Sequence, residues 1–574
     1  MQQHSDTLKQ MGLPNQPQHQ PRKKALVQKQ KRKCFFLPFY LLSFTLSSLT
    51  GSAVWAQSSQ DIELQVGVVQ RFGEKPSDRL TLKAKPGDRL TLRFNQDGLP
   101  QILEATELKL EIQMQPLPQP VVEERVVLGS YRSFESAEDT ANTWRAKGLE
   151  VEIGQPDEWQ VWAKRGAYSS PLIRRFLLES LQAKGHNSAY LETKILQQTP
   201  QASWVVNGTR YSQSQLDISA GTGLIQVEKG KAEKTERLYG GSLRLQPNAY
   251  GTYTLVNQVP LEIYLRGVVP HEIGEEAPYP AIEAQTILAR TYVLRNLRRF
   301  AIDNYQMCAN TQCQVYQGLG DTWPDADRAI AATTGQVLVY QNELIDALYS
   351  STSGGVTAPF NDMWDGPERP YLLPVLDSVG NVWDLSSQSL ASEDNFRRFV
   401  NIEKGFNEEG DLFRWREESS LDKMNKDLRR YLQDGNSPLV NFQTIQELRV
   451  LQRSSAGRVL KMAVSTDAGV IELEKDEILN AFYAPLSTLF YVEPIYQENT
   501  KILKGYAFIG GGFGHGVGMS QTGSHKLAKL GWSSDRILSF YYPGTQIQLI
   551  NESIILWQDP LKEKSEEKLT LRVN

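Results

Sequence analysis

Gly129-Ser130-Tyr131-Arg132-Ser133 recurs as Gly166-Ala167-Tyr168-Ser169-Ser170, and Ala146-Lys147-Gly148 recurs as Ala183-Lys184-Gly185. Both pairs are offset by 37 residues, the scale of one supersecondary unit rather than of a domain. Each copy reads as a strand, a helix closed by a glycine C-cap, and a short strand. Two such halves over residues 124–197 make a small sheet with two helices on one face.

The repeat interrupts sequence of another kind. Residues 62–115 alternate apolar and polar positions, as in Leu90-Thr91-Leu92-Arg93-Phe94 and Leu108-Lys109-Leu110-Glu111-Ile112, between turn signals such as Lys85-Pro86-Gly87-Asp88. A Pro/Gln stretch from Gln115 to Pro120 reads as a linker. From about residue 203 the chain is β-rich again, with turns at Asn207-Gly208 and Gly240-Gly241. Tyr279 to Phe300 reads as a long helix, because Ile282, Ile287, Leu288, Tyr292 and Leu294 fall at helical spacing and basic residues close it. Residues 411–434 read as a surface helix of mixed charge. The expected fold class is α+β: a β-rich body with helices over 203–552, its N-terminal strands at 57–118, the repeat module at 124–197, and a charged tail at 559–574.

Of the 574 residues, 40% are hydrophobic and 22% charged, which excludes disorder throughout and a polytopic membrane protein. Three cysteines exclude a disulfide scaffold. The net charge of −4 argues against a nucleic-acid binder. Residues 1–56 carry eight Lys/Arg and one Asp, so the remainder has a net charge of −11. A basic run ending at Lys33, an apolar stretch from Cys34 to Leu49 and Val54-Trp55-Ala56 read as a signal peptide. An uncleaved anchor is the alternative. Either places the rest of the chain outside the cytoplasm, in the periplasm or cell wall.

The tandem "strand, Gly-x-Tyr-x-Ser, helix" layout of the repeat resembles a SPOR domain. That family binds peptidoglycan glycan strands stripped of their stem peptides, which implies glycan contact near Tyr131 and Tyr168. A two-repeat module without a ligand is the alternative.

Five further motifs run in order. They are Val256-Asn257 to Pro260-Leu261-Glu262 and on to Pro270-His271-Glu272; Ala284-Gln285 to Arg290-Thr291-Tyr292; Cys313-Gln314-Val315-Tyr316; Tyr349-Ser350-Ser351-Thr352-Ser353-Gly354-Gly355; and Gly510 to Gln521, with Gly514-His515-Gly516 at its centre. Over about 205–550 they resemble the stage II sporulation protein D (SpoIID) family and its LytB amidase-enhancer relatives. The resemblance implies a lytic transglycosylase acting on peptide-free glycan, with Glu272 as the catalytic acid/base.

The chemistry needs only one such group. A carboxyl of raised pKa protonates the leaving oxygen, and the muramic acid 6-hydroxyl closes a 1,6-anhydro ring. The apolar neighbours Val268, Val269, Pro270 and Ile273 suit that role. Gln285, Arg290, Tyr316, Ser351, Ser353, His515, Gly516, Ser520 and Gln521 are the expected substrate-binding residues, with Trp364, Tyr371 and Tyr542 as further aromatic candidates. The enhancer branch implies the alternative, a non-catalytic wall-binding partner of an amidase.

Neither a metal nor an organic cofactor is expected. The glycine run lacks the Gly-Lys-Ser/Thr ending of a phosphate loop, no His-Glu-x-x-His helix occurs, and there is no Gly-x-Ser-x-Gly elbow. Cys308 and Cys313 suggest a disulfide or free thiols rather than zinc, because no histidine lies between His271 and His515.

Overall fold

The computed structural model describes residues 62–559, apart from 207, 231–235 and 436. The signal peptide expected over 1–56 and the charged tail from 560 onward lie outside the described residues. Among the described residues, no helix is long and apolar enough to cross a membrane.

Strand alternation shapes the body. Leu64, Val66 and Val68, then Leu90, Leu92 and Phe94, then Leu108, Leu110 and Ile112 all turn inward. Each such side chain contributes about 1.5–3 kcal/mol when fully buried. One sheet has seven strands, in the order Met307–Cys308, Glu63–Phe72, Tyr253–Pro260, Ser242–Pro247, Leu216–Ala220, Leu90–Gln96 and Leu99–Ala105. Within it Glu63 lies opposite Pro260 and Val66 opposite Asn257. The β-rich stretches on either side of the repeat therefore build one sheet. A second sheet contains Arg79–Ala84, Leu224–Lys229 and Glu236–Gly240 and shares the same apolar core, which runs on to the long helix.

That second sheet is extended by an antiparallel ribbon of Glu107–Tyr131 and Tyr190–Val206. Lys109 lies opposite Val205 at one end and Val127 opposite Tyr190 at the other. Gln115 to Pro120 is thus strand, not the linker its Pro/Gln content suggests. Its prolines sit at a register break between Pro116 and Val121, where fewer ladder hydrogen bonds are required.

The far end of the ribbon carries the repeat as a split β-α-β unit, with the strands in the spatial order last, first, third, second. The repeated serines are helix N-caps. Ser133 accepts from the Ser136 N–H at the helix Phe134–Ala146, and Ser170 from the Ile173 N–H at the helix Pro171–Ala183. The first helix buries Phe134, Ala137, Ala141 and Trp144, and its Glu135 and Glu138 pair with Arg299 and Arg298 of the body. The second buries only Leu181.

The long helix is Tyr279–Arg295, and from Ala281 to Arg295 every residue but Glu283 is buried. It is an internal pillar. Residues 411–434 are not one helix. Trp415–Ser420 is a strand paired with Leu503–Gly510, burying Trp415 and Ser419, and Ser420 then caps the helix Leu421–Asp434.

Candidate active site

Glu272 sits on the short helix Val269–Ile273, which Pro270 starts and Gly274 ends. The Val315 N–H donates to its Oε1 at 2.8 Å. Gln521 and Tyr349 donate to the same carboxylate through their side chains. Burial pushes the Glu272 carboxyl up to about 7, against the pull of these three hydrogen bonds. All three donors are uncharged.

Tyr349 is aimed by its neighbours. Gln314 Nε2 donates to its hydroxyl at 3.1 Å, which leaves the phenol proton for Glu272. The Tyr264 hydroxyl in turn donates to Gln314 Oε1 at 3.2 Å. Burial and the nearby Glu272 hold the Tyr349 phenol well above its usual range, so it stays a neutral donor. Gln521 arrives on the neighbouring segment. The strand Tyr349–Ser350 pairs in parallel with Met519–Ser520, and Gln521 opens the next helix, Gln521–Lys529. Its Nε2 also lies 3.4 Å from Gln285 Oε1. Gln285 is fully buried on the long helix, and its own Nε2 has no hydrogen-bond partner among the described residues.

Glu272, Gln285 and Gln521 of the expected residues are therefore brought together, and Ser351 is half-buried nearby in the chain, its carbonyl accepting from Thr522. The others are placed differently. Arg290 is fully buried and gives both prongs of its guanidinium to Glu262, at 2.8 and 2.7 Å. Tyr316 is fully buried, its hydroxyl donating to Asn257 at 2.8 Å. Ser353 is buried with its N–H on Glu408. Ser520 is buried as the cap of the Gln521–Lys529 helix and donates to Glu408. Gly516 takes φ 69°, and a Cβ there would meet the Arg458 guanidinium at 2.2 Å, so its role is close packing. None of these five is free to touch a glycan.

His515 is also occupied. Its Nδ1 accepts from the Val517 N–H at 3.0 Å, which leaves Nε2 to donate to the Tyr349 carbonyl. Burial, with help from Arg458, pushes it down to about 4, so the ring is neutral. It clamps the glycine loop to the Tyr349 strand and does not reach for sugar. Trp364, Tyr371 and Tyr542 are buried core residues rather than open stacking platforms. Glu275 and Glu276 are exposed. His271 faces Asp321 at 3.8 Å. Cys308 and Cys313 form a disulfide.

Two contributors escape the sequence reading, Tyr349 and Gln314. Both lie inside the motifs, one residue or two from positions that were singled out. Their signal is a side-chain contact between segments 35 positions apart, which periodicity does not show.

Residues 249–340, which include Glu272, Gln285, Gln314 and Val315, match the family described as Stage II sporulation protein (SpoIID). Residues 358–518 match a family described as Domain of unknown function (DUF8618). The chain is 28% identical over 370 residues to the amidase enhancer of Bacillus subtilis, covering 57% of this chain and 50% of that protein. It is 25% identical over 326 residues to the stage II sporulation protein D of the same organism, covering 53% of this chain and 80% of that protein. A Bacillus amyloliquefaciens stage II sporulation protein D is 23% identical over 307 residues, covering 51% of this chain and 75% of that protein. The match thus spans about half the length of the amidase enhancer. The SpoIID match thus falls on the helices that carry Glu272 and Gln285, and the chain is similar over about half its length to an amidase enhancer and to stage II sporulation proteins D.

Proposed function

We propose that this protein is an exported lytic transglycosylase that cuts peptide-free peptidoglycan glycan with Glu272 as its single acid/base. One observation carries the reading: a half-buried carboxyl raised to about 7 by desolvation and held by uncharged donors alone. At neutral pH such a group is present both as acid and as base. As acid, Glu272 gives its proton to the glycosidic oxygen and the bond to the anomeric carbon breaks. The muramic acid 6-hydroxyl then bonds to that carbon, and the Glu272 carboxylate takes the hydroxyl proton. The products are a 1,6-anhydro end and a free hydroxyl on the leaving sugar, with no water consumed. Tyr349 and Gln521 restrain the carboxylate through both steps.

The repeat module, in this reading, holds the same peptide-free strands through its SPOR-like fold, near Tyr131 and Tyr168. The ion pairs of Arg298 and Arg299 with Glu138 and Glu135 fix it to the body rather than leaving it on a tether.

The test is digestion of purified peptide-free glycan, with product analysis. Anhydro-ended fragments are expected from the native protein and absent from Glu272→Gln. The relative named for amidase enhancement favours a second reading, a wall-binding partner of a cell-wall amidase. No soluble anhydro-sugars, but faster release of stem peptides by an added amidase, would select that reading.

A further inference from the structure

A pair of carboxyl groups lies behind the site and has no part in the steps above. Asp377 and Glu408 are 0% and 2% exposed and hydrogen-bond to each other. Glu408 Oε1 accepts from the Ser353 N–H and from the Ser520 hydroxyl, and its Oε2 accepts from the Gly355 N–H at 2.6 Å. Asp377 accepts from the Tyr541 hydroxyl at 2.9 Å and from Asn407 Nδ2 at 2.9 Å. Burial and the neighbouring Glu408 hold the Asp377 carboxyl well above the usual range, so it carries the proton of the pair.

Both members grip one turn of helix. Ser520 Oγ, tied to Glu408, accepts the Gly523 N–H as the N-cap of Gln521–Lys529. Asp377 lies against Gly523 itself, where a Cβ would come within 2.3 Å of its Oδ2 and 2.2 Å of the Tyr541 hydroxyl. The other donors to Glu408 belong to the turn that follows the Tyr349–Ser350 strand. Two guanidiniums hold that turn from the far side, Arg414 on the Gly354 carbonyl at 2.9 Å and Arg458 on the Ser353 carbonyl at 2.6 Å. They are also the cations that feel the charge of Glu408.

We infer that Glu408, with Asp377 as its buried partner, is a positioning residue that sets Gln521 and Tyr349 on the Glu272 carboxylate. The inference rests on the reading of Glu272 as acid/base. Glu408 touches neither substrate nor Glu272. It acts through two short paths, Ser520 to Gln521 and the Ser353–Gly355 turn to Tyr349. A glutamine cannot replace it, because its amide NH2 would confront a backbone N–H where the carboxylate now accepts.

The experiment uses the full chain and needs no catalysis. The protonation of Glu272 is followed by infrared carboxyl bands, as the difference from Glu272→Gln, in the native protein, Glu408→Gln, Ser520→Ala and Gln521→Ala. Gln521 and Tyr349 favour the ionised form, so loosening them raises Glu272 above about 7. The groups facing it, Tyr264, Tyr292 and Tyr349, are neutral phenols that do not titrate in the window. Glu408→Gln and Ser520→Ala are expected to shift the Glu272 midpoint upward, in the same direction as Gln521→Ala and by roughly threefold to tenfold in proton affinity. Folded variants with a native midpoint overturn the inference. If Glu408→Gln does not fold, Ser520→Ala alone decides, since it leaves the carboxyl pair intact. Shifted midpoints in a protein that cleaves no glycan would uphold the positioning role and sink the transglycosylase reading.

Discussion

Two half-buried carboxyls flank the long helix, and the two have opposite protonation behaviour. Near Gln285 lies Glu272, raised to about 7 by burial and served only by Val315, Gln521 and Tyr349. Near Arg295 lies Asp346. Burial would raise it too, but the guanidiniums of Arg295 and Arg369 overcome that and hold it well below the usual carboxylate range. Arg295 Nε lies 3.1 Å from Asp346 Oδ1, and the Tyr371 hydroxyl donates to Oδ2 at 3.2 Å. Depth does not separate the two. A cation turns a buried carboxyl into a fixed ion-pair strut, and the absence of one leaves a group that exchanges protons near neutrality.

The largest effect that can break this comparison is catalytic. Glu272→Gln should remove anhydro-product formation by roughly 10²–10⁴-fold, the worth of a positioned acid/base, while circular dichroism shows a native fold. Asp346→Asn should do the reverse and act on stability. Removing Asp346 leaves the Arg369 guanidinium without its carboxylate and Arg295 with Glu343 alone, at a cost of up to about 3–5 kcal/mol. Urea unfolding with an unchanged slope measures it. Equal stability losses in the two variants would erase the distinction.

The pH dependence separates the pair by sign. Glu272 has a folded pKa above its unfolded value, so its contribution to stability is complete below about 4.5 and lost as pH rises through about 7. The loss is on the order of 2 kcal/mol, allowing for its partial exposure. Glu272→Gln should flatten that decline and so be the more stable protein at pH 8. Asp346 has a depressed pKa, so its contribution is present above the unfolded value of 3.8 and lost as pH falls through the lower folded value. Unfolding midpoints between pH 1.5 and pH 8 in both variants test the two signs together.

How much of this was legible in the sequence follows from how local each signal is. Glu272 is legible through the family resemblance of Pro270-His271-Glu272, to which the apolar neighbours Val268, Val269, Pro270 and Ile273 add support. The repeat was legible because its serine caps and Gly148 and Gly185 act on their own helix ends. Arg290 was misread for the opposite reason. A polar residue in an apolar helix can face a ligand or a distant carboxylate, and its partner Glu262 sits 28 positions away. The linker was misread likewise, since Pro116 and Pro120 look like breakers until Tyr190–Val206 pairs alongside. Tyr349 owes its role to a two-residue parallel bridge with Met519–Ser520, too short to leave any period, and Gln314 owes its role to hydrogen bonds with Tyr264 and Tyr349, 50 and 35 positions away.

A stronger test is to convert one carboxyl into the other. Gln521→Lys would place an ammonium where Gln521 now donates to Glu272, in imitation of Arg295 beside Asp346. An opposite charge at that range lowers a carboxyl by about 1–3 units. The high-pH limb of activity, where the acid form of Glu272 runs out, should then move to lower pH by a comparable amount. At pH 7 the rate should drop because too little acid form remains. An unmoved limb would mean that cations are not what distinguishes the two carboxyls.

The smallest effect belongs to Tyr349→Phe. The phenol donates one of three hydrogen bonds that oppose the burial of Glu272, and its ring fills space that phenylalanine fills equally well. Losing the donor should raise Glu272 slightly above about 7, by less than one unit. The high-pH limb therefore moves upward, opposite in direction to Gln521→Lys. Gln314 Nε2, which now donates to the phenol oxygen at 3.1 Å, loses that acceptor. It retains the Ala289 carbonyl at 3.4 Å, so the stability cost should stay near 1 kcal/mol. A rate change at pH 7 larger than the shifted limb explains would mean that Tyr349 also touches the glycan.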